Sequence, residues 1–114
     1  MKGINKVILI GNVGNEPEVK VLTDNSPVAK FSLATTESYK DASGQRQSQT
    51  EWHTILAWQG LAQWVGKYLH KGSLIYVEGK LKTRSYQDKI TGKNCYVTEI
   101  IAQEITLLDK KPNE

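Results

Sequence analysis

The 114-residue chain holds a single cysteine, Cys95. One thiol cannot form a disulfide within its own chain, which fits a reducing compartment. With no Cys/His cluster near it, Cys95 reads as a packed or edge thiol rather than a nucleophile. No apolar run approaches the roughly 18 residues of a membrane span, and the N-terminus lacks the charged and long apolar segments of a signal peptide. A soluble, cytoplasmic protein with no membrane partner is expected. Catalytic signatures are missing as well. There is no H-x-E with C-x-x-C, no G-x-S-x-G and no pair of acids beside a histidine on one face. His53 and His70 fall in different elements without companions at metal-ligand spacing. Gly11 and Gly14 make a G-x-x-G step, but no Gly-Lys-Ser/Thr follows and no helix opens there. These glycines read as residues that let a strand curve tightly. No enzyme activity, cofactor or metal is expected. Repeats, linkers and low-complexity segments are also lacking, so one domain over residues 1–108 with a short polar end at 109–114 is the expected organisation.

What is present is an ordinary globular balance, with 39% apolar and 24% charged residues. That is enough for one core without a disulfide or a metal, which become necessary mainly below about 40 residues. The stretch Thr50 to Trp58 organises the rest. Successive side chains of a strand point to opposite faces. Trp52, Thr54, Leu56 and Trp58 then share one face, and His53, Ile55 and Ala57 share the other, the expected core face. Two indoles on one face form a stacking surface if that face is wet, and a second core if it is packed.

The remaining elements follow from period and punctuation. Ile4 to Gly11 is a near-continuous apolar run and reads as the first strand. Pro17 to Val21 is a short extended piece before the turn at Asp24–Pro27. Val28 to Tyr39 is the second strand, with Phe31 and Leu33 on one side and Lys30, Ser32 and Ala34 on the other. Lys40 to Gln49 is polar, contains Gly44 and reads as a flexible loop. Between Gly60 and Leu69 the apolar residues Leu61, Trp64, Val65, Tyr68 and Leu69 recur at three- and four-residue steps, which predicts an amphipathic helix with Trp64 as core filler. Lys67, His70 and Lys71 suit its C-terminal dipole, and Gly72 is a stop. Ser73 to Leu81 is a fourth strand, Lys82 to Val97 a long hairpin arm turning at Thr91–Gly92, and Tyr96 to Leu108 the fifth strand. One short helix between strands three and four of an all-β chain fits the five-stranded OB barrel. An SH3-like barrel, the competitor, seldom carries such a helix there.

Charge is polarised along the chain. From Lys67 to Lys93 seven cations face only Glu78 and Asp88, a surplus of five in a chain whose total is +3. Aromatic residues are interleaved with these and other cations: Tyr39 beside Lys40, and Tyr86 after Lys82 and Arg84. Single-stranded nucleic acid offers base faces and a charged backbone together, which aromatic platforms and Lys/Arg answer in turn. Each aromatic taken singly is as compatible with a core position. Duplex readout would call for a free recognition helix.

These residues resemble the bacterial single-stranded DNA-binding protein (SSB) family through about Leu108. The resemblance rests on Asn5–Gly14 with Pro17-Glu18-Val19, on Phe31–Thr35, on Thr50–His53, on Tyr68-Leu69 with Lys71-Gly72, and on Tyr76–Arg84. It implies an OB fold assembled as a homotetramer around which single-stranded DNA wraps with little sequence preference, serving replication, recombination and repair near the nucleoid. The implied stacking positions are Tyr39, Trp52, Trp58 and Tyr86; two are tyrosine where tryptophan is common, and Trp58 stands where phenylalanine is common. Backbone contacts would fall to Lys2, Lys6, Lys20, Lys40, Lys71, Lys82 and Arg84, with Gly60 where a contacting lysine is common. His53 and Tyr76 match positions of subunit contact. The family typically continues into a Gly/Pro/Gln-rich linker and an acidic tip ending in phenylalanine. This sequence has the look of a short form ending at Asp109–Glu114, so recruitment of protein partners by a tail is not carried over. Two other readings stay open at this point, a primosomal-type OB assembly module whose aromatic face meets a protein, and an RNA-binding OB protein.

Overall fold

The computed structural model describes residues 2–22 and 24–109. Its elements are β1 (Val7–Val13), β2 (Glu18–Val21), β3 (Pro27–Lys40), β4 (Arg46–Trp58), α1 (Gln59–Tyr68), β5 (Leu74–Gln87) and β6 (Asn94–Leu107). β3 and β4 form an antiparallel hairpin whose register runs unbroken from Val28 opposite Trp58 to Lys40 opposite Arg46. β5 and β6 form the second long hairpin. β4 joins β6 in parallel through Ile55–Ile100 and Leu56–Ile101. β1 pairs with β5 along its length and crosses to β3 through Asn12–Ala34 and Val13–Leu33. That crossing closes a barrel of β1, β3, β4, β6 and β5, with β2 as a short edge strand on β3. The fold is the expected OB barrel, with α1 between its third and fourth strands and a long hairpin after it.

Alternation sets the core. Ala29, Phe31 and Leu33 of β3, Ile55 and Ala57 of β4, and Ile75 and Val77 of β5 are buried, each two residues from the next. α1 covers one opening of the barrel with Ala62 and Val65 buried, and Leu61 and Trp64 pack against the same core. Trp64 is therefore core filler, as expected. Tyr68, assigned to the same stripe, is exposed, its ring 5.7 Å from that of Trp64. The helix stops at Tyr68, and Leu69 donates its N–H to the Val65 carbonyl at 3.0 Å. Gly72 then takes φ 95°, where a side chain would be strained.

Four expectations change. β1 begins at Val7 and runs through Gly11 to Val13, so Ile4 lies outside it and almost fully exposed. The tight curve expected at Gly11 and Gly14 narrows to a bend at Asn15, because β1 runs on through Gly11 to Val13. A Cβ on Gly11 would collide with the Ala34 carbonyl, and one on Gly14 with the Trp52 ring and Ser32 Oγ. Their role is close approach, Gly11 where β1 crosses to β3 and Gly14 beneath an indole. The expected flexible loop at Lys40–Gln49 shrinks to residues 41–45, because β3 and β4 stay paired to Lys40 and Arg46. The paired residues beyond the barrel are exposed on both faces, so no apolar period betrays the strands. The tip is held by Asp41, whose Oδ1 accepts from Ser43 N, Ser43 Oγ and Gln45 N at 2.7–3.0 Å. The Ser43 hydroxyl, followed by Gln45 and Gln47, holds the Asp41 carboxyl below its ordinary pKa. Finally, Asp109, expected to fray, accepts the Leu74 N–H at 2.9 Å. Residues 110–114 of the expected polar end lie outside the described residues.

Candidate nucleic-acid interface

The face of β4 that carries Trp52, Thr54, Leu56 and Trp58 is wet. Trp52 is 63% exposed and Trp58 38%. Their opposites, Ile55 and Ala57, have no exposure at all. Register extends this face sideways. Val28 and Lys30 lie opposite Trp58 and Leu56 on β3, and Ile101 lies beside Leu56 on β6. Partner positions in a ladder project to the same side, so β3, β4 and β6 present one continuous surface. β5 completes it through Lys80 opposite Ile101 and Lys82 opposite Glu99. Lys80, Lys82, Arg84 and Tyr86 alternate along β5 and share this side.

The surface is concave. A depression of about 580 Å³ is lined by Leu22, Val28, Leu56, Trp58 and Ile101 together with Lys30, Lys80, Lys82, Arg84 and Glu99. An apolar floor carrying an indole is thus ringed by four cations. The Arg84 guanidinium donates Nε–H to Glu99 Oε1 at 2.8 Å and Nη2–H to Oε2 at 3.4 Å. That hydrogen bonding, then the carboxylate charge, raises the Arg84 pKa further above its ordinary value. Lys30, Lys80 and Lys82 have no carboxylate within ion-pair distance among the described residues.

The other sequence-derived site residues distribute as follows. Trp52 lies on the same side as the depression, its ring edge over Gly14. Tyr86, about half exposed, continues the Lys80–Arg84 row toward the hairpin tip. Tyr39 is equally exposed, but counted along the unbroken register it stands on the side of Phe31 and Leu33, opposite the indoles. Lys20 opposite Val28, and Lys40 opposite Arg46, fall on the indole side. Lys2 is exposed ahead of β1. Lys71 follows α1, its backbone N–H bonded to Glu16 Oε1 at 3.0 Å. Lys6 sits elsewhere, 3.7 Å from Glu78 on the β1–β5 pair. Tyr76 donates its hydroxyl to the same Glu78 at 2.9 Å, which raises the phenol's pKa. His53, half-buried, shares a 2.9 Å hydrogen bond with Thr35 Oγ1 on the core side of β4.

Lys30, Lys80 and Glu99 were not singled out from the sequence. Lys80 had a usable signal, the period-two row Lys80-Lys82-Arg84-Tyr86. Lys30 and Glu99 acquire their place only from strand pairing.

The chain matches the Single-strand binding protein family over residues 4–108. Single-stranded DNA-binding protein 1 of Chlorobaculum tepidum is 46% identical over 110 residues, covering 96% of this chain and 68% of that protein. Single-stranded DNA-binding protein 1 of Xylella fastidiosa is 45% identical over 112 residues, covering 97% and 82%. Among solved structures, the Plasmodium falciparum SSB complex with ssDNA superposes with a TM-score of 0.85 at 38% identity, covering 96% of this chain and 98% of that one. A deletion mutant of the Thermus aquaticus single-stranded DNA-binding protein gives 0.80 at 29% identity, covering 94% and 51%.

Proposed function

The chain belongs to the single-strand binding protein family, and from that premise we propose that it binds single-stranded DNA across the β3–β4–β6–β5 face without reading base sequence. One observation carries the reading. Two exposed indoles and a depression ringed by Lys30, Lys80, Lys82 and Arg84 occupy the same side of one sheet. Bases stack on Trp52 and Trp58, and phosphates meet the cations. Each stacked base contributes about 1–3 kcal/mol whatever its identity, because every base has a π face. Tyr86 lengthens the path along the β5–β6 arm, with Lys20 and Lys40 on the indole side, and Tyr39, on the other side of the β3–β4 arm, meets a strand that wraps around that arm. Duplex is a poor fit, because α1, the one α-helix among the described residues, is packed on the core and is not free to enter a major groove.

The cellular role that follows is to coat and protect unpaired strands in replication, recombination and repair, in the cytoplasm and at the nucleoid, by binding and not by catalysis. Association into a homotetramer is part of the proposal. Ile8 and Ile10 on β1 are more than half exposed, and His53 and Tyr76 would meet neighbouring copies.

Tryptophan fluorescence during titration with oligothymidylate at two salt concentrations tests the reading. Strong quenching that weakens as salt rises is expected. Unchanged emission and unchanged mobility would overturn it, and quenching by oligouridylate in preference would move the reading to RNA.

A further inference from the structure

Glu99 is the odd residue of the depression. It is the one acid in its lining, and its side chain is 4% exposed. A carboxylate at that depth needs a partner, because an uncompensated buried charge is costly. Among the described residues its ion-pair partner is Arg84, gripped through Nε and Nη2. A guanidinium has five N–H donors. The grip occupies two and leaves three on the side chain's open part, which is 54% exposed. Arg84 is thereby fixed in direction, unlike Lys30, Lys80 and Lys82, whose ammonium groups end flexible stems.

We infer that Glu99 is a positioning residue for nucleic-acid binding, which aims Arg84 at a backbone phosphate while cancelling its net charge. The inference rests on the proposed single-strand binding and assigns different work to cations of the same face. The three lysines supply charge, and each phosphate they neutralise releases condensed counterions and steepens the salt dependence. The Arg84–Glu99 pair is neutral as a unit. It supplies directed N–H donors and adds little to the salt slope.

Two variants separate these roles. Glu99→Gln keeps an acceptor for Nε–H and removes the charge, so Arg84 becomes a full cation. Binding to oligothymidylate should tighten at low salt, and the slope of log K against log salt should steepen by roughly 0.7, the value of one added phosphate on a single strand. Arg84→Ala combined with Glu99→Gln replaces a neutral pair by a neutral pair. Its affinity should fall at every salt concentration while its slope stays that of the parent. Thermal melting is recorded for both, and the slopes are compared where the proteins are folded. Should either variant lose its fold, Arg84→Lys with Glu99 retained takes its place, with weaker binding and an unchanged slope expected. A Glu99→Gln slope equal to the parent's, or a double variant whose slope flattens by the value of a phosphate, would overturn the inference while leaving single-strand binding intact. Failure of the parent protein itself to bind would remove both.

Discussion

Two surfaces of this barrel expose large apolar side chains beside charges, and they are built differently. In the depression on the β3–β4–β6–β5 face the apolar groups include an indole, the lysines are unpaired among the described residues, and the one acid of the lining is buried against Arg84. On the outer side of β1–β5 the apolar groups are Ile8 and Ile10, and charge is matched: Lys6 lies on Glu78, which also accepts from Tyr76. An aliphatic patch with balanced charge offers nothing to a phosphate and suits a second protein surface. A concave aromatic floor with surplus positive charge is poorly suited to a copy of the same basic chain and well suited to a flexible polyanion. On the proposed function, the same fold would separate assembly from ligand binding by choosing aromatic or aliphatic side chains and by pairing or not pairing its lysines.

Substitutions that interchange the two characters test that separation. The largest effect is expected on the aliphatic side. Ile10→Asp places a carboxylate where association would desolvate it, at a cost of several kcal/mol. Light scattering at low micromolar concentration should report a smaller species, with fluorescence quenching by short oligothymidylate retained. An unchanged assembly would show that β1 is not an interface. His53→Lys should act in the same direction more weakly, because His53 is only half-buried and bonded to Thr35.

Next come the indoles. Trp52→Ala and Trp58→Ala should each lower affinity by about 1–3 kcal/mol. Their melting temperatures should move little, since both rings are substantially exposed. A large loss of stability with unchanged affinity would return the ring in question to the core. For Trp52 this is a close test, because its ring also covers Gly14.

Much of the indole face is legible in the sequence itself. The alternation in Thr50–Trp58 placed two tryptophans opposite Ile55 and Ala57, because a half-buried strand cannot hide its period. The helix over Gly60–Leu69 was found to within a residue for the same reason. What stayed hidden has physical causes. The arms of the β3–β4 hairpin leave the barrel, lose a buried face and with it the apolar period, so Lys40–Gln49 looked like loop. The close approach of the Ala34 carbonyl to Gly11 is invisible locally, because a sequence does not show which backbone will approach a glycine. Glu99 was passed over because nothing local distinguishes it. Its burial and its grip on Arg84 arise from a residue 15 positions away.

The smallest expected effects concern lysines, and they bear most directly on pairing. Lys82 lines the depression without a carboxylate partner among the described residues. Lys82→Ala should flatten the salt dependence of binding by roughly 0.7 in log K per log salt, the release from one phosphate of a single strand. Lys6 carries the same formal charge and was expected from the sequence to touch the backbone too. Its ammonium instead lies 3.7 Å from a Glu78 carboxylate, and removing it leaves that carboxylate uncompensated on the outer side of β1–β5. An exposed pair of this kind contributes up to about 1 kcal/mol to stability. Lys6→Ala should therefore change the slope by clearly less than Lys82→Ala does, and any effect should appear first in assembly, where Glu78 holds Tyr76. Parallel titrations of the two variants over one salt series decide the matter. Equal flattening would mean that the strand also runs past β1, and the two surfaces would then be one continuous path.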